Sequence, residues 1–186
     1  LLIIVFYNSK TAMNKVLISL LSGVLLITAI GCNGPARTSN SAADSTEQAA
    51  SQNTDKQTTQ GNQNDATSET RRRQLNADNR AREERNNVVN DGQAENRADA
   101  DLKSQVRNKL EANLPASQLT VDAEEGTVKV SGIVVNEQQR QKIETLAKEI
   151  KGVQTVEVDV KVDAAAKPAP PNPDTKTPIK DQTNRN

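Results

Sequence analysis

Leu119-Thr120-Val121-Asp122-Ala123-Glu124-Glu125-Gly126-Thr127-Val128-Lys129-Val130-Ser131-Gly132 decides the fold of this chain. Leu119, Val121 and Ala123 alternate with Thr120 and Asp122. After Glu124-Glu125-Gly126 the alternation resumes, with Val128 and Val130 set against Thr127, Lys129 and Ser131. A period of two puts successive side chains on opposite faces, so the stretch reads as the two half-buried strands of a β-hairpin. Gly126 supplies the positive φ that a tight turn requires, and Gly132 marks a bulge or a close backbone approach.

Outward from the hairpin the period lengthens. Upstream, Leu102, Val106, Leu110 and Leu114 recur every four residues and mark one apolar face of a helix that Pro115 helps to stop. Downstream, Asn136 can cap a second helix, and Gln139 is placed to reach back toward the cap. That helix uses Ile143, Leu146, Ala147 and Ile150, with Lys148 and Lys151 at its negative end and Gly152 as its stop. Val153, Val156, Val158, Val160 and Val162 then build a strand whose other face carries Thr155, Glu157, Asp159 and Lys161. The order α-β-β-α-β predicts an α+β fold with a three-stranded mixed sheet. Its last strand runs parallel to the second through a right-handed crossover. Both helices should cover the aliphatic sheet face and leave the polar face open to water.

These residues carry a resemblance. Asp99 to Val162, within a domain of residues 98–163, resembles a BON domain in the initial Leu102-x3-Val106-x3-Leu110 and the strand Gly126-Thr127-Val128-Lys129-Val130-Ser131-Gly132. Ile150-Lys151-Gly152-Val153 and the closing Val156-Glu157-Val158-Asp159-Val160 complete the match. The resemblance implies a non-catalytic envelope module that binds phospholipid and supports envelope integrity under stress. It places the family's marked glycine at Gly132, with Gly126 and Gly152 as companion turn positions. Glycine has no side chain with which to recognise a ligand, so a conformational role outweighs direct contact at all three.

Composition points the same way. The chain has no histidine, no tryptophan, a single cysteine and a formal net charge of zero. Without histidine the commonest general base and a preferred transition-metal ligand are missing, and no catalytic residue, metal site or cofactor is expected. Asp99 with Asp101 reads as charge at a helix start and Asp122 with Glu124 and Glu125 as acids beside a turn, both groups solvated. No basic stripe interleaved with aromatics is present, so nucleic acid is not an expected partner.

The flanks differ from the domain. Met13-Asn14-Lys15 followed by the apolar run Val16 to Ile30 has the form of a signal peptide over residues 13–31. Ala29-Ile30-Gly31-Cys32 resembles the bacterial lipobox, with alanine where leucine is usual, which makes Cys32 the expected acylated N-terminus. Residues 1–12 then read as an extension upstream of the true start. An uncleaved single-span anchor is the alternative for the apolar run, and both readings place the remainder at a membrane outside the cytoplasm.

Residues 32–97 are dominated by small polar and charged side chains and are expected to form a disordered tether reaching about 40–50 Å. Within it, the segment 71–85 sets Arg71, Arg72, Arg73, Arg80, Arg82 and Arg85 against Asp78, Glu83 and Glu84. It reads either as a contact for anionic phospholipid or as a charge-mixed linker, and Leu75 is its only large apolar residue. Residues 164–186, with Pro168, Pro170, Pro171, Pro173 and Pro178, read as a disordered proline-rich tail. The function expected is therefore a lipid-anchored, periplasm-facing envelope lipoprotein that binds phospholipid headgroups or membrane-associated partners. The alternative is an adaptor linking the membrane to cell-wall or envelope proteins through open strand edges and the proline tail.

Overall fold

The computed structural model describes residues 34–170. Residues 1–33, which include the stretch 13–31 expected to be a signal peptide and Cys32, and the tail from residue 171 onward lie outside the described residues. Chain contacts divide between Asn33 and Gly34, and the part from Gly34 onward forms a compact unit of its own. In chain order the elements are β1 (Ala36–Arg37), α1 (Thr46–Ser51), α2 (Lys56–Thr67), α3 (Glu69–Val89), α4 (Asp99–Asn113), β2 (Gln118–Glu124), β3 (Thr127–Val134), α5 (Glu137–Lys148) and β4 (Thr155–Val162), followed by a 3-10 turn, Ala164–Ala166.

The strands form one sheet in the order β1-β2-β3-β4. β2 and β3 pair antiparallel without a break from Gln118↔Ile133 to Glu124↔Thr127. β3 and β4 pair parallel from Thr127↔Thr155 to Val134↔Val162, as the β-α-β reading predicts. Leu102, Val106, Leu110 and Leu114 meet Ile143 and Ala147 over Leu119, Val121, Val128, Val130 and Val160 in a single aliphatic core. Burial of this kind contributes roughly 1.5–3 kcal/mol per branched side chain. Asn136 Oδ1 accepts from the Gln139 N–H at 2.8 Å, while Gln139 Oε1 reaches back past the cap to accept from the Val135 N–H at 3.2 Å, so side chains bond in both directions at the start of α5. The helix closes at Lys148, two residues short of Ile150, which packs on the core from the turn that follows.

At the hairpin tip both Glu125 (φ 48°) and Gly126 (φ 79°) are left-handed, as a two-residue primed turn requires. The Glu125 N–H is held by Asp99 Oδ1 at 2.9 Å. Gly132 has φ 136°, and a Cβ there would lie 2.1 Å from the Gln118 carbonyl oxygen. The one-to-one register across Leu119↔Gly132 shows a close backbone approach at this point and not a bulge.

Four expectations are corrected. The sheet has four strands instead of three, because Ala36 and Arg37 add β1 beside Val121 and Thr120. Thr38 fixes this strand by donating its N–H to Leu119 O and accepting the Leu119 N–H on Oγ1, both at 2.9 Å. A two-residue strand has no period to read.

The segment expected to be a disordered tether carries α1, α2 and α3 over much of residues 34–97, which brings the helices to five. Their starts are capped by the side chains of Ser45, Asp55 and Ser68, and their few apolar anchors are Ala49, Ala66 and Leu75. Polar partners supply what apolar area does not.

The polar sheet face is not fully open, since α1 lies against β3 and β2. Thr120 and Ser131 are fully buried there, Thr120 Oγ1 donates to Ala43 O at 2.7 Å, and Lys129 Nζ pairs with Glu47 at 3.3 Å. Finally, the tail folds back at its start. Thr59 Oγ1 donates to Ala166 O, and the Ala169 N–H donates to Gln60 Oε1 at 3.0 Å.

Candidate lipid-contact surface

The six arginines singled out in the sequence all lie on α3 and divide between its two faces. On the inner face, Arg71, Leu75, Asp78, Arg82 and Arg85 recur at spacings of four and three residues. They meet Asp101, Ser104, Asn108 and Glu111 of the antiparallel α4. Such spacing keeps side chains on one stripe of a helix, so the pair packs as a short seam in which most positions are polar.

Arg71 grips Glu111 with two parallel hydrogen bonds, Nε to Oε1 at 2.5 Å and Nη2 to Oε2 at 2.8 Å, and Arg107 approaches the same carboxylate at 3.5 Å. Glu111 is 1% exposed. Arg82 and Arg85 both donate to Asp101 Oδ1, at 2.8 and 2.9 Å. Asp101 is thus buried and ion-paired, which corrects the solvated reading of that acid. Asp78 accepts from Ser104 Oγ at 2.7 Å and Asn108 Nδ2 at 2.9 Å, and Glu83 accepts from Gln105 Nε2 at 2.6 Å and Arg97 Nη2 at 2.7 Å. Arg97 also reaches the Lys151 carbonyl at 3.2 Å, beside Gly152. Gly152 has φ 99°, and a Cβ there would lie 2.7 Å from Ala94 O, so segment 90–97 packs directly on the turn after α5.

This seam responds to pH. Burial raises the Asp78 carboxyl, but the Ser104 and Asn108 hydrogen bonds and the Arg82 and Arg107 charges outweigh it and hold the group below its usual range. Glu83 is likewise lowered: burial opposes ionisation, and Arg97 and Gln105 prevail. A carboxylate depressed in the folded state adds stability above its unfolded pKa, about 4, and loses it as pH falls through the folded value. Amide NMR shifts of α3 should therefore be constant from pH 7 to about pH 5 and move toward unfolded positions below about pH 4. A seam whose shifts stay constant throughout an acid titration would contradict this.

The outer face is different. Arg72, Arg73 and Arg80 stand exposed, with Arg73 holding Glu69 one turn back, and Arg85 remains half exposed despite its bond to Asp101. Val88 and Val89, 82% and 71% exposed, end the same helix. Of the six arginines, Arg71 and Arg82 are therefore structural, and Arg72, Arg73, Arg80 and Arg85 are accessible.

A polar cleft of about 370 Å³ near the seam is lined by Arg37, Arg71, Arg107 and Asp65. Its cations are already engaged, since Arg37 pairs with Asp44 at 2.8 Å and the other two share Glu111. Among the described residues no cluster of potential ligands could hold a metal ion, and no helix is long and apolar enough to cross a membrane.

The α4–β2–β3–α5–β4 portion is also where comparison with known proteins succeeds: residues 98–164 match the family described as the BON domain. No curated protein and no solved structure matches the chain.

Proposed function

We propose, taking residues 98–164 as a BON domain, that the protein is an envelope lipoprotein, anchored through an acylated Cys32, which binds anionic phospholipid headgroups through the outer face of α3. The observation that carries the reading is the coincidence on that helix of accessible outer-face guanidiniums, Arg72, Arg73 and Arg80, flanked by the half-exposed Arg85 at the rim of the seam, with Val88 and Val89 at its end, the most exposed large apolar side chains among the described residues. Basic side chains near a headgroup layer contribute about 1 kcal/mol each, and apolar side chains at the acyl boundary add to this. Support for envelope integrity under stress follows from the family resemblance and is the biological role proposed. The activity is binding and not catalysis.

The order found in segment 34–97 changes the geometry of this proposal. Only three residues lie between Cys32 and Ala36, the first residue of β1, and the four steps from one to the other span at most about 14 Å. A lipid on Cys32 would hold the folded unit against the bilayer instead of suspending it from a long tether.

Vesicle co-sedimentation of the unit beginning at Gly34 tests the contact apart from the anchor. Anionic phosphatidylglycerol vesicles should retain it at low salt, zwitterionic vesicles should retain less, and the gain should fade as salt screens it. Arg72→Glu with Arg80→Glu should cut anionic binding about tenfold or more. Failure of the wild-type unit to bind, or equal binding by the variant, would overturn the assignment.

A further inference from the structure

β4 ends the sheet, and no described strand pairs with its outer edge. The Thr155 N–H donates to Gly126 O at 3.3 Å and the Asp163 N–H to Val134 O at 2.9 Å, so the odd-numbered residues of β4 spend their backbone groups on β3. In a parallel ladder the alternate residues face the other way. Val156, Val158, Val160 and Val162 therefore present N–H and C=O groups to the open edge. On the helix-facing side of the strand Val160 is buried, while Val158 and Val162 are 36% and 38% exposed. Glu157, Asp159 and Lys161 are exposed on the other side. An eight-residue edge strand whose alternate backbone groups bond no described strand is a template for another strand.

We infer that this edge pairs with β4 of a second copy of the chain, antiparallel and two-fold about Val160, giving a continuous sheet through two molecules. Charge complementarity selects both occupant and register. About Val160, Asp159 lies opposite Lys161 of the second copy, twice by symmetry, and the two exposed valines, 158 and 162, face each other. The same register puts Val158, Val160 and Val162 in hydrogen-bonded pairs, which is the phase their free N–H groups require. Glu157 falls opposite Asp163, whose carboxylate is turned back to accept the Ala165 and Ala166 N–H groups at 3.1 and 3.2 Å. Centring the axis on Asp159 or Lys161 instead sets like charges directly against each other, and centring it on Val158 opposes Glu157 to Asp159. The two-fold closes the assembly, because the opposite edge of the sheet is only the two-residue β1. This pairing does not depend on lipid contact.

Sedimentation equilibrium of the unit from Gly34 over a concentration series tests it. A reversible monomer–dimer equilibrium is expected. Asp159→Lys or Lys161→Asp alone turns two attractive cross-strand pairs repulsive and should weaken association about tenfold. The double variant, Asp159→Lys with Lys161→Asp, should restore it. Val158→Pro removes an edge-facing N–H without touching the β3 ladder and should abolish dimerisation while the circular dichroism spectrum is kept. A strictly monomeric wild type, assembly beyond dimers, a double variant as weak as the single ones, or a dimer that survives Val158→Pro would each overturn the inference.

Discussion

Replacing Gly132 with alanine is expected to unfold the domain, whereas the same change at Gly126, six residues away, should cost only about 1 kcal/mol. Both glycines have positive φ, so conformational freedom alone does not separate them. The surroundings do. At Gly126 the added methyl meets the end of the Gln154 side chain at 3.0 Å, and that side chain can swing aside. At Gly132 it would sit 2.1 Å from the Gln118 carbonyl oxygen, which belongs to the paired strand β2 and cannot retreat without opening the hairpin. Backbone strain of roughly 1–3 kcal/mol plus the displaced ladder puts the total near 4 kcal/mol or above. A domain of this size, with an aliphatic core and no disulfide among the described residues, has little stability beyond that. Thermal melts followed by circular dichroism should show Gly126→Ala lowered by a few degrees and no cooperative transition for Gly132→Ala. Similar melts for the two variants would refute the distinction.

The second large effect is expected at Glu111. Glu111→Ala leaves Arg71 and Arg107 facing each other across a buried site with their common counter-charge removed, and breaking such a pair costs about 3 kcal/mol or more. Arg71 is one-quarter exposed and can turn to water, so the loss should fall mainly on the docking of α3 and less on the sheet. Limited trypsin digestion should then cut within residues 71–97 while the part from Ala98 to Ala164 survives. Replacing the trio together, Arg71→Met, Glu111→Leu and Arg107→Met, should recover most of the resistance, because no unpaired charge remains. Equal resistance of Glu111→Ala and wild type would show that the seam does not hold α3.

What could be read in advance follows from how each part buries itself. Leu102, Val106, Leu110 and Leu114, with Val128 and Val130 of β3 and Val160 of β4, bury apolar side chains at a fixed period, and period survives in the sequence. Helix α3 buries itself through Arg71, Asp78 and Arg82, whose partners stand up to 40 residues away on α4. Taken alone those residues have the composition of a solvated linker. A signal was present all the same. Ser45, Asp55 and Ser68 stand where N-caps belong, and the four–three spacing of 71, 75, 78, 82 and 85 matches that of 101, 104, 108 and 111. The arginines of the candidate site were legible as a group, but their division into paired and accessible members depends on the rotation of α3 about its axis. Asp101 was misread for the same reason.

The short strand β1 also bears on the order in which the molecule assembles. Its pairing of Ala36 with Val121 joins residues separated by three helices and the whole of α4, whereas the β2–β3 hairpin closes over two residues and the β3–β4 pair over one helix. Each doubling of the closed loop adds about 0.6 kcal/mol of chain entropy, and distant contacts slow the search for the native topology. The hairpin and its crossover can therefore form early from local contacts, with β1 and the three polar helices added to a finished sheet. A chain emerging N-terminus first during synthesis has residues 34–97 exposed and waiting until β2 appears, so a later-made part of this protein supplies the surface on which an earlier-made part folds.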